Sequence, residues 1–313
     1  MRHFDAQATR DALPFDRLIA ALRELFVQGC EAPLRHTHTL STPDGGSGTL
    51  LIMPAWLPGR FLGIKTVSVF PGNAAHGLPG LFSTYTLYDA ATGQPLAQMD
   101  GDQITARRTV AASALAASML ARPDARRLLV VGAGRVAALL PAAYRAVLPI
   151  ESLCVWARRP AQAQALATRW CDAGLDATVA TDLPAAVETA DVVSCATLAT
   201  APLVQGAWLR PGSHLDLIGS FTPQMREADD ACFAGAGVYV DTDEALQKSG
   251  DLLAPMARGV FAAEDVRGTL ARLCRAQASG RISDEERTVF KSVGNALEDL
   301  AAAMLVWRSR LKT

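Results

Sequence analysis

The stretch Leu129-Val130-Val131-Gly132-Ala133-Gly134-Arg135-Val136-Ala137 decides the fold of this chain. An apolar strand runs into a glycine turn and then into an alanine-rich helix. Gly132 permits the tight turn, and Gly134 lets the backbone approach a pyrophosphate. Ala137 takes the third small position, where the helix packs on the strand. Amide groups at the helix N-terminus then face the phosphates. The pattern predicts a dinucleotide cofactor and hydride chemistry. Gly132, Gly134, Arg135 and Val136 are the cofactor-binding candidates here; the alternative is a merely structural turn.

Working outward, the chain from Arg127 alternates strands and helices. Strands are expected at Leu128–Val131, Leu153–Trp156, Ala177–Ala180, Val192–Ala196, His214–Ile218 and Val238–Val240. Such alternation implies a parallel sheet with helices on both faces. Pro141 conflicts with the helix after the glycine turn and should kink it, at about 3 kcal/mol if uncompensated. The second strand, Cys154-Val155-Trp156, ends in Ala157-Arg158-Arg159-Pro160. An NAD site places an acid there for the ribose diol; two arginines favour the 2′-phosphate of NADP(H). Ala157, Arg158 and Arg159 therefore join the cofactor candidates, with NADP(H) preferred and NAD(H) possible. Solvated surface arginines are the alternative.

The first hundred residues read differently. Pro14 to Gln28 repeats apolar positions at helical spacing, and Leu34 to Met99 is β-like. Pro43-Asp44-Gly45-Gly46-Ser47-Gly48 and Ala90-Ala91-Thr92-Gly93-Gln94-Pro95 are turns. Strands are expected at Thr49–Met53, ended by Pro54, at Phe61–Phe70 and at Ser83–Tyr88. Thr109–Leu120 is a helix rich in alanine, with Arg108 at its start. Arg122-Pro123-Asp124 marks a domain boundary. A long last helix is expected over Asp284–Arg308.

With 313 residues, 50% hydrophobic and 19% charged, the chain suits two soluble globular domains. A formal charge of −1 argues against nucleic acid or a membrane surface as partner. No apolar run is long enough to span a bilayer, and the N-terminus lacks a signal-peptide core. The six cysteines are scattered without a C-x-x-C pair, which reads as free thiols in a cytoplasmic protein. No metal site is expected.

Of the 30 basic residues only Lys65, Lys248, Lys291 and Lys312 are lysines. Lys65 interrupts the apolar strand Phe61-Leu62-Gly63-Ile64-Lys65-Thr66-Val67-Ser68-Val69-Phe70. It points to solvent, or it is held in a site, where burial would lower its pKa toward acid–base use. Arg35 and Arg108 are candidates for a substrate carboxylate because the guanidinium fork suits bidentate binding; surface arginines are the other reading. His36 and His38 share a strand face, and without a third ligand they favour polar packing.

Four motifs in order give a resemblance to the ornithine cyclodeaminase and mu-crystallin family over nearly the whole chain. They are Gly63-Ile64-Lys65-Thr66-Val67-Ser68 with Pro71-Gly72-Asn73; Ile104-Thr105-Ala106-Arg107-Arg108-Thr109; Val131-Gly132-Ala133-Gly134; and Val289-Phe290-Lys291-Ser292-Val293-Gly294-Asn295-Ala296-Leu297-Glu298-Asp299. The resemblance implies an α/β protein. A Rossmann doubly wound nucleotide-binding domain (121–288) would accompany an N-terminal α+β sheet domain (1–120). That sheet domain would bind substrate, form homodimers and be completed by the returning C-terminal helix (289–313). Lys65 resembles the family's catalytic lysine, Arg35 and Arg108 its carboxylate-binding arginines, and Met53 a substrate-pocket methionine. Thr109, Thr197, Ser292 and Gly294 fall where the family contacts the nucleotide or nicotinamide.

Two departures bear on the activity. Where cyclodeaminases resemble Gly-Asp-Cys-Pro-Gly-Lys-Thr-Glu, this chain has Gly219-Ser220-Phe221-Thr222-Pro223-Gln224-Met225-Arg226-Glu227, so Phe221 replaces a catalytic Asp. Where they carry Glu-Leu-Met-Pro, Leu51-Ile52-Met53-Pro54 puts Leu51 at the Glu position. A buried ornithine ammonium would lack both carboxylates, at several kcal/mol. The expectation is an NADPH-dependent reductase of cyclic ketimine acids, pyrroline-2-carboxylate or piperideine-2-carboxylate. Ornithine cyclodeaminase with NAD, alanine dehydrogenase and a non-catalytic NADP(H)-dependent binding protein of the crystallin type are the alternatives.

Overall fold

The computed structural model describes residues 1–43 and 45–309. Asp44 of the expected Pro43–Gly48 turn, and residues 310–313 of the expected returning segment, lie outside the described residues. The chain divides into two compact units: Met1–Arg108 with the chain from Asn295 onward, and Thr109–Gly294. The divisions thus lie away from the expected 120 and 288: the first falls within one continuous helix, Gly101–Leu120, and the second after the strand Thr288–Lys291.

In the first unit the strands are β1 (Arg2–Phe4), β2 (His36–Ser41), β3 (Ser47–Leu57), β4 (Phe61–Val69), β5 (Leu81–Asp89) and β6 (Pro95–Asp100). Among the described residues they form a six-stranded sheet in the order β1-β6-β5-β4-β3-β2. It is antiparallel from β2 to β6, with β1 parallel to β6. Alternation puts Met53, Ala55 and Leu57, Gly63, Lys65 and Val67, Tyr85 and Leu87, and Ala97 and Met99 on one buried face. The Phe15–Gln28 helix buries Phe15, Leu18, Ile19, Leu22, Leu25 and Phe26, the stripe its sequence spacing predicts. The C-terminal helix, Ala296–Ser309, packs on that helix and on β3, β4 and β5.

Pro54 does not end its strand; β3 runs through it to Leu57. Trp56 exchanges backbone hydrogen bonds with Glu31 on the side away from β4. Two residues earlier, Pro54 turns its missing donor to the same side, beyond the His36↔Ile52 end of the β2 pairing. Proline is tolerated there because no ladder bond is lost. The Gly101–Leu120 helix starts before Thr109 because Asp100 caps it, accepting from the Gln103 amide at 2.7 Å. Arg108 therefore sits inside the helix instead of opening it.

The second unit holds β7 (Arg127–Val131), β8 (Ser152–Trp156), β9 (Asp176–Val179), β10 (Val192–Cys195), β11 (His214–Leu217), β12 (Gly237–Val240), β13 (Gly268–Thr269) and β14 (Thr288–Lys291). Among the described residues they make an eight-stranded parallel sheet in the order β13-β12-β14-β11-β10-β7-β8-β9. This is the doubly wound, Rossmann-type arrangement, and the strand order reverses between β7 and β10. Its core on one face of the central strands is apolar, including Leu129, Val131, Val193, Leu215, Leu217, Val238 and Val289, whereas the other face also buries Ser194, His214, Asp216 and Thr288.

Residues 284–308 are not one helix: Thr288-Val289-Phe290-Lys291 is a fully buried central strand. Its β-branched and aromatic residues belong to a sheet interior. After the glycine turn, a 3₁₀ turn (Ala137–Leu139) gives way to a short helix, Leu140–Tyr144. Pro141 sits in that helix's first turn, where its absent N–H breaks no bond. No helix among the described residues is long and apolar enough to cross a membrane.

Candidate active site

In the first unit, β4 and the C-terminal helix bring together charges that are far apart in sequence. The register aligns Met53, Lys65, Tyr85 and Met99 across four strands. Lys65 is 2% exposed, so the solvent-facing reading falls away. Its Nζ lies 2.6 Å from Asp299 Oδ2. Arg108 is also buried: its Nε donates to Asp299 Oδ1 at 2.9 Å and its Nη1 to Glu298 Oε2 at 2.7 Å. One carboxylate thus bridges both cations. The Asn295 side chain accepts from the Glu298 amide at 3.1 Å and caps the helix that carries both acids.

Burial pulls the Lys65 ammonium down to about 8, against the pull of Asp299; the Arg108 and Arg35 charges push the same way as burial. Burial also disfavours charge on Arg108, but Asp299 and Glu298 outweigh it and hold its pKa above the usual value. Arg35 precedes β2, half-buried, and its charge reaches Lys65. Met53 is buried at the pairing position opposite Lys65. The Tyr85 hydroxyl is buried without a hydrogen-bond partner among the described residues, and burial pushes its pKa well above 10.

Sequence reasoning gave Glu298 and Asp299 no role beyond the motif that contains them. They are two adjacent first-turn acids of a helix otherwise made mainly of alanine, leucine, methionine and valine, a placement common enough that it marks no site by itself. Arg108 also differs from expectation in its geometry. Two of its three guanidinium nitrogens are engaged by protein carboxylates. His36 and His38 are exposed on β2.

In the second unit the glycine turn lies at the strand-order reversal. Gly132 has φ +124°, and a Cβ there would lie 2.6 Å from the Ala196 carbonyl oxygen. A Cβ on Gly134 would meet nothing within 4 Å, so that backbone faces open space. Gly134 and Arg135 are exposed, and Val136 is half-buried. Thr197, at the end of β10, packs beside Gly132. These features fit a dinucleotide: a tight turn and an open backbone edge at the carboxyl ends of the strands, where the strand order reverses. Arg158 and Arg159 are exposed after β8, with Ala157 half-buried beside them. Ser292 donates its amide to Leu217, and Gly294, at φ +74°, donates to Asp241 Oδ2 at 2.6 Å. Thr109 is half-buried on the Gly101–Leu120 helix.

The chain belongs to the ornithine cyclodeaminase/mu-crystallin family, whose model matches residues 11–313. It is 48% identical over 264 residues to a Δ1-pyrroline-2-carboxylate reductase of Paracoccus denitrificans, covering 84% of each chain. Among solved structures, the Thermococcus litoralis Δ1-pyrroline-2-carboxylate reductase in complex with NADH and L-proline superposes with a TM-score of 0.91. The identity is 31%, over 100% of this chain and 98% of that one. An archaeal alanine dehydrogenase dimer with bound NAD gives a TM-score of 0.90 at 30% identity, over 100% and 96% of the two chains.

Proposed function

We propose that this chain is an NAD(P)H-dependent reductase of cyclic ketimine acids, taking pyrroline-2-carboxylate and piperideine-2-carboxylate to the cyclic amino acids, with NADPH preferred. The observation that carries the reading is the buried Lys65–Asp299–Arg108 cluster; in sequence, Leu51 and Phe221 stand where the resembling cyclodeaminases carry acids. The likeness to pyrroline-2-carboxylate reductases supports it.

Reduction of the imine consumes one hydride at carbon and one proton at nitrogen. Bound nicotinamide supplies the hydride. Lys65, held by Asp299, donates the proton to the imine nitrogen and is reprotonated from solvent. Arg35 and the Nη2 edge of Arg108 receive the substrate carboxylate, and Met53 gives the ring an apolar contact.

Thr109, Gly132, Gly134, Arg135, Val136, Thr197, Ser292 and Gly294 are assigned to the dinucleotide, with Ala157, Arg158 and Arg159 around the 2′-phosphate. The first unit would bind substrate and dimerise, and the second would bind nucleotide. The outer face of the first unit's sheet, with Ile52, Trp56, Leu62, Ile64 and Tyr88 half-exposed, is the surface for a second copy. The dimer form of the alanine dehydrogenase relative supports that reading.

The test follows NADPH absorbance with each cyclic imine, with ornithine plus NAD in parallel. Oxidation by either imine supports the reductase. Ammonia from ornithine without it would mean a cyclodeaminase. Tight cofactor binding with no turnover would mean a binding protein of the crystallin type. Mass measured in solution tests the dimer.

A further inference from the structure

Glu227 is fully buried in the second unit and has no part in the reaction as derived above. Its Oε1 accepts both the backbone N–H and the hydroxyl of Thr197, each at 2.7 Å. Its Oε2 accepts the Gly219 N–H at 2.6 Å. Thr197 follows β10 and Gly219 follows β11, and these strands are neighbours. One carboxylate therefore ties the carboxyl ends of two central strands. The fit is close: a Cβ on Gly219 would lie 2.0 Å from the Thr197 carbonyl oxygen and 2.4 Å from Glu227 Oε1.

Glu227 is itself held in place. Its amide donates to Asp251 Oδ1 at 2.8 Å. Among the described residues no cationic side chain pairs with its oxygens. Lys291 Nζ instead donates to the Leu217 carbonyl at 2.9 Å and lies 3.9 Å from Asp251 Oδ2. Neutral donors hold this carboxylate in place without cancelling its charge.

A dinucleotide on a doubly wound sheet straddles the strand-order reversal, one nucleotide over each half. The arginines after β8 suit the adenosine half, which leaves the ends of β10 and β11 to the nicotinamide half. Oxidised nicotinamide carries a positive ring charge that the reduced ring lacks. A buried carboxylate at low effective dielectric therefore interacts differently with the two forms.

We propose that Glu227 is a positioning residue of the nicotinamide subsite that, through Thr197 and Gly219, sets the preference for oxidised over reduced cofactor. The inference rests on the nucleotide-binding reading and not on the identity of the substrate. A site that favours the oxidised ring makes the bound reduced cofactor the stronger hydride donor.

The experiment measures dissociation constants for NADP⁺ and NADPH separately, without substrate, on the full chain. NADPH is titrated by fluorescence and NADP⁺ by competition. Burial pushes the Glu227 carboxyl up to about 7, Asp251 adds to the rise, and Lys291 and Thr197 oppose it. The titrations are therefore run near pH 9, about two units higher, where a group with that pKa is ionised. Glu227→Gln keeps the shape and removes the charge. It is expected to raise the ratio of the NADP⁺ to the NADPH constant about tenfold, a shift worth ~1.4 kcal/mol. Thr197→Val removes one neutral donor and leaves the charge more exposed, so the ratio is expected to fall.

A merely structural role would weaken both forms by the same factor. Equal changes, or an unchanged ratio, overturn the proposal. If Glu227→Gln does not fold, the direction of the Thr197→Val shift decides. If the unaltered chain binds neither form, the nucleotide-binding reading fails first and this inference with it.

Discussion

Asp299 Oδ2 lies 2.6 Å from Lys65 Nζ, so the first turn of the C-terminal helix holds the one lysine in the middle of β4. The same carboxylate receives Arg108 through its other oxygen. Loss of Asp299 would therefore disturb proton transfer and substrate binding together, whereas loss of either cation alone leaves the other paired.

Lys65→Ala should lower kcat on the cyclic imine by roughly 10²–10⁴-fold, the usual range for a positioned proton donor. NADPH affinity, measured by fluorescence titration, should stay within a factor of about two. Turnover within tenfold of the unaltered chain would remove Lys65 from the proton-donor role.

The pH profile follows from the sign of the Lys65 shift. In the proposed mechanism the donor is the ammonium, and its pKa is lowered to about 8 by burial. Activity should be level below that pH and fall as pH rises through it. Asp299 raises the Lys65 pKa, while burial, Arg108 and Arg35 lower it. Asp299→Asn should therefore move the alkaline limb of kcat/KM to lower pH, and a limb that stays in place would show that another group titrates.

Arg108→Met leaves Glu298 and Asp299 buried with a partner removed. Breaking a buried pair on one side typically costs about 3–5 kcal/mol. Urea unfolding should show a loss of that order, together with a raised KM for the imine acid. A stability change below about 1 kcal/mol would mean that water reaches these carboxylates, as it does for exposed pairs.

Cofactor choice is tested at the exposed arginines after β8. The double substitution Arg158→Ala with Arg159→Ala should raise the KM for NADPH by about 10- to 100-fold and leave NADH within a few-fold, because in the proposed assignment they engage only the 2′-phosphate. Parallel loss for both cofactors would place the arginines elsewhere than at the phosphate.

Gly132→Ala puts a methyl 2.6 Å from the Ala196 carbonyl at φ +124°. Strain at such a position is of order 1–3 kcal/mol. Thermal melting should fall, and titration should show weaker binding of both NADPH and NADH.

Much of this fold is legible from pattern. The doubly wound half follows from the glycine turn and the strand–helix alternation, and six of its strands fall where apolar runs lie. Thr288–Lys291 is missed because four residues beside a longer amphipathic stretch merge into its period, and only pairing with β11 and β12 separates them. Pro54 misleads because its compatibility depends on where β2 stops, a long-range fact. At the candidate site the cations stand out by type and context. Their anions, Glu298 and Asp299, look like ordinary first-turn acids of a capped helix, and only the packing of that helix on β4 shows whom they face. Glu227 carries no local signal, since its partners lie after two different strands.

The pairing of β4 with β5 runs without a shift from Phe61↔Asp89 to Val69↔Leu81. Side chains on a strand alternate faces, so a slip of one residue would exchange Lys65 for Ile64 or Thr66 at the buried site. The proposed proton donor is thus specified by phase as well as by residue type. Length changes can be absorbed by residues 71–80 between the two strands, whereas one residue added within β4, N-terminal to Lys65, would turn an intact lysine codon into a surface amine.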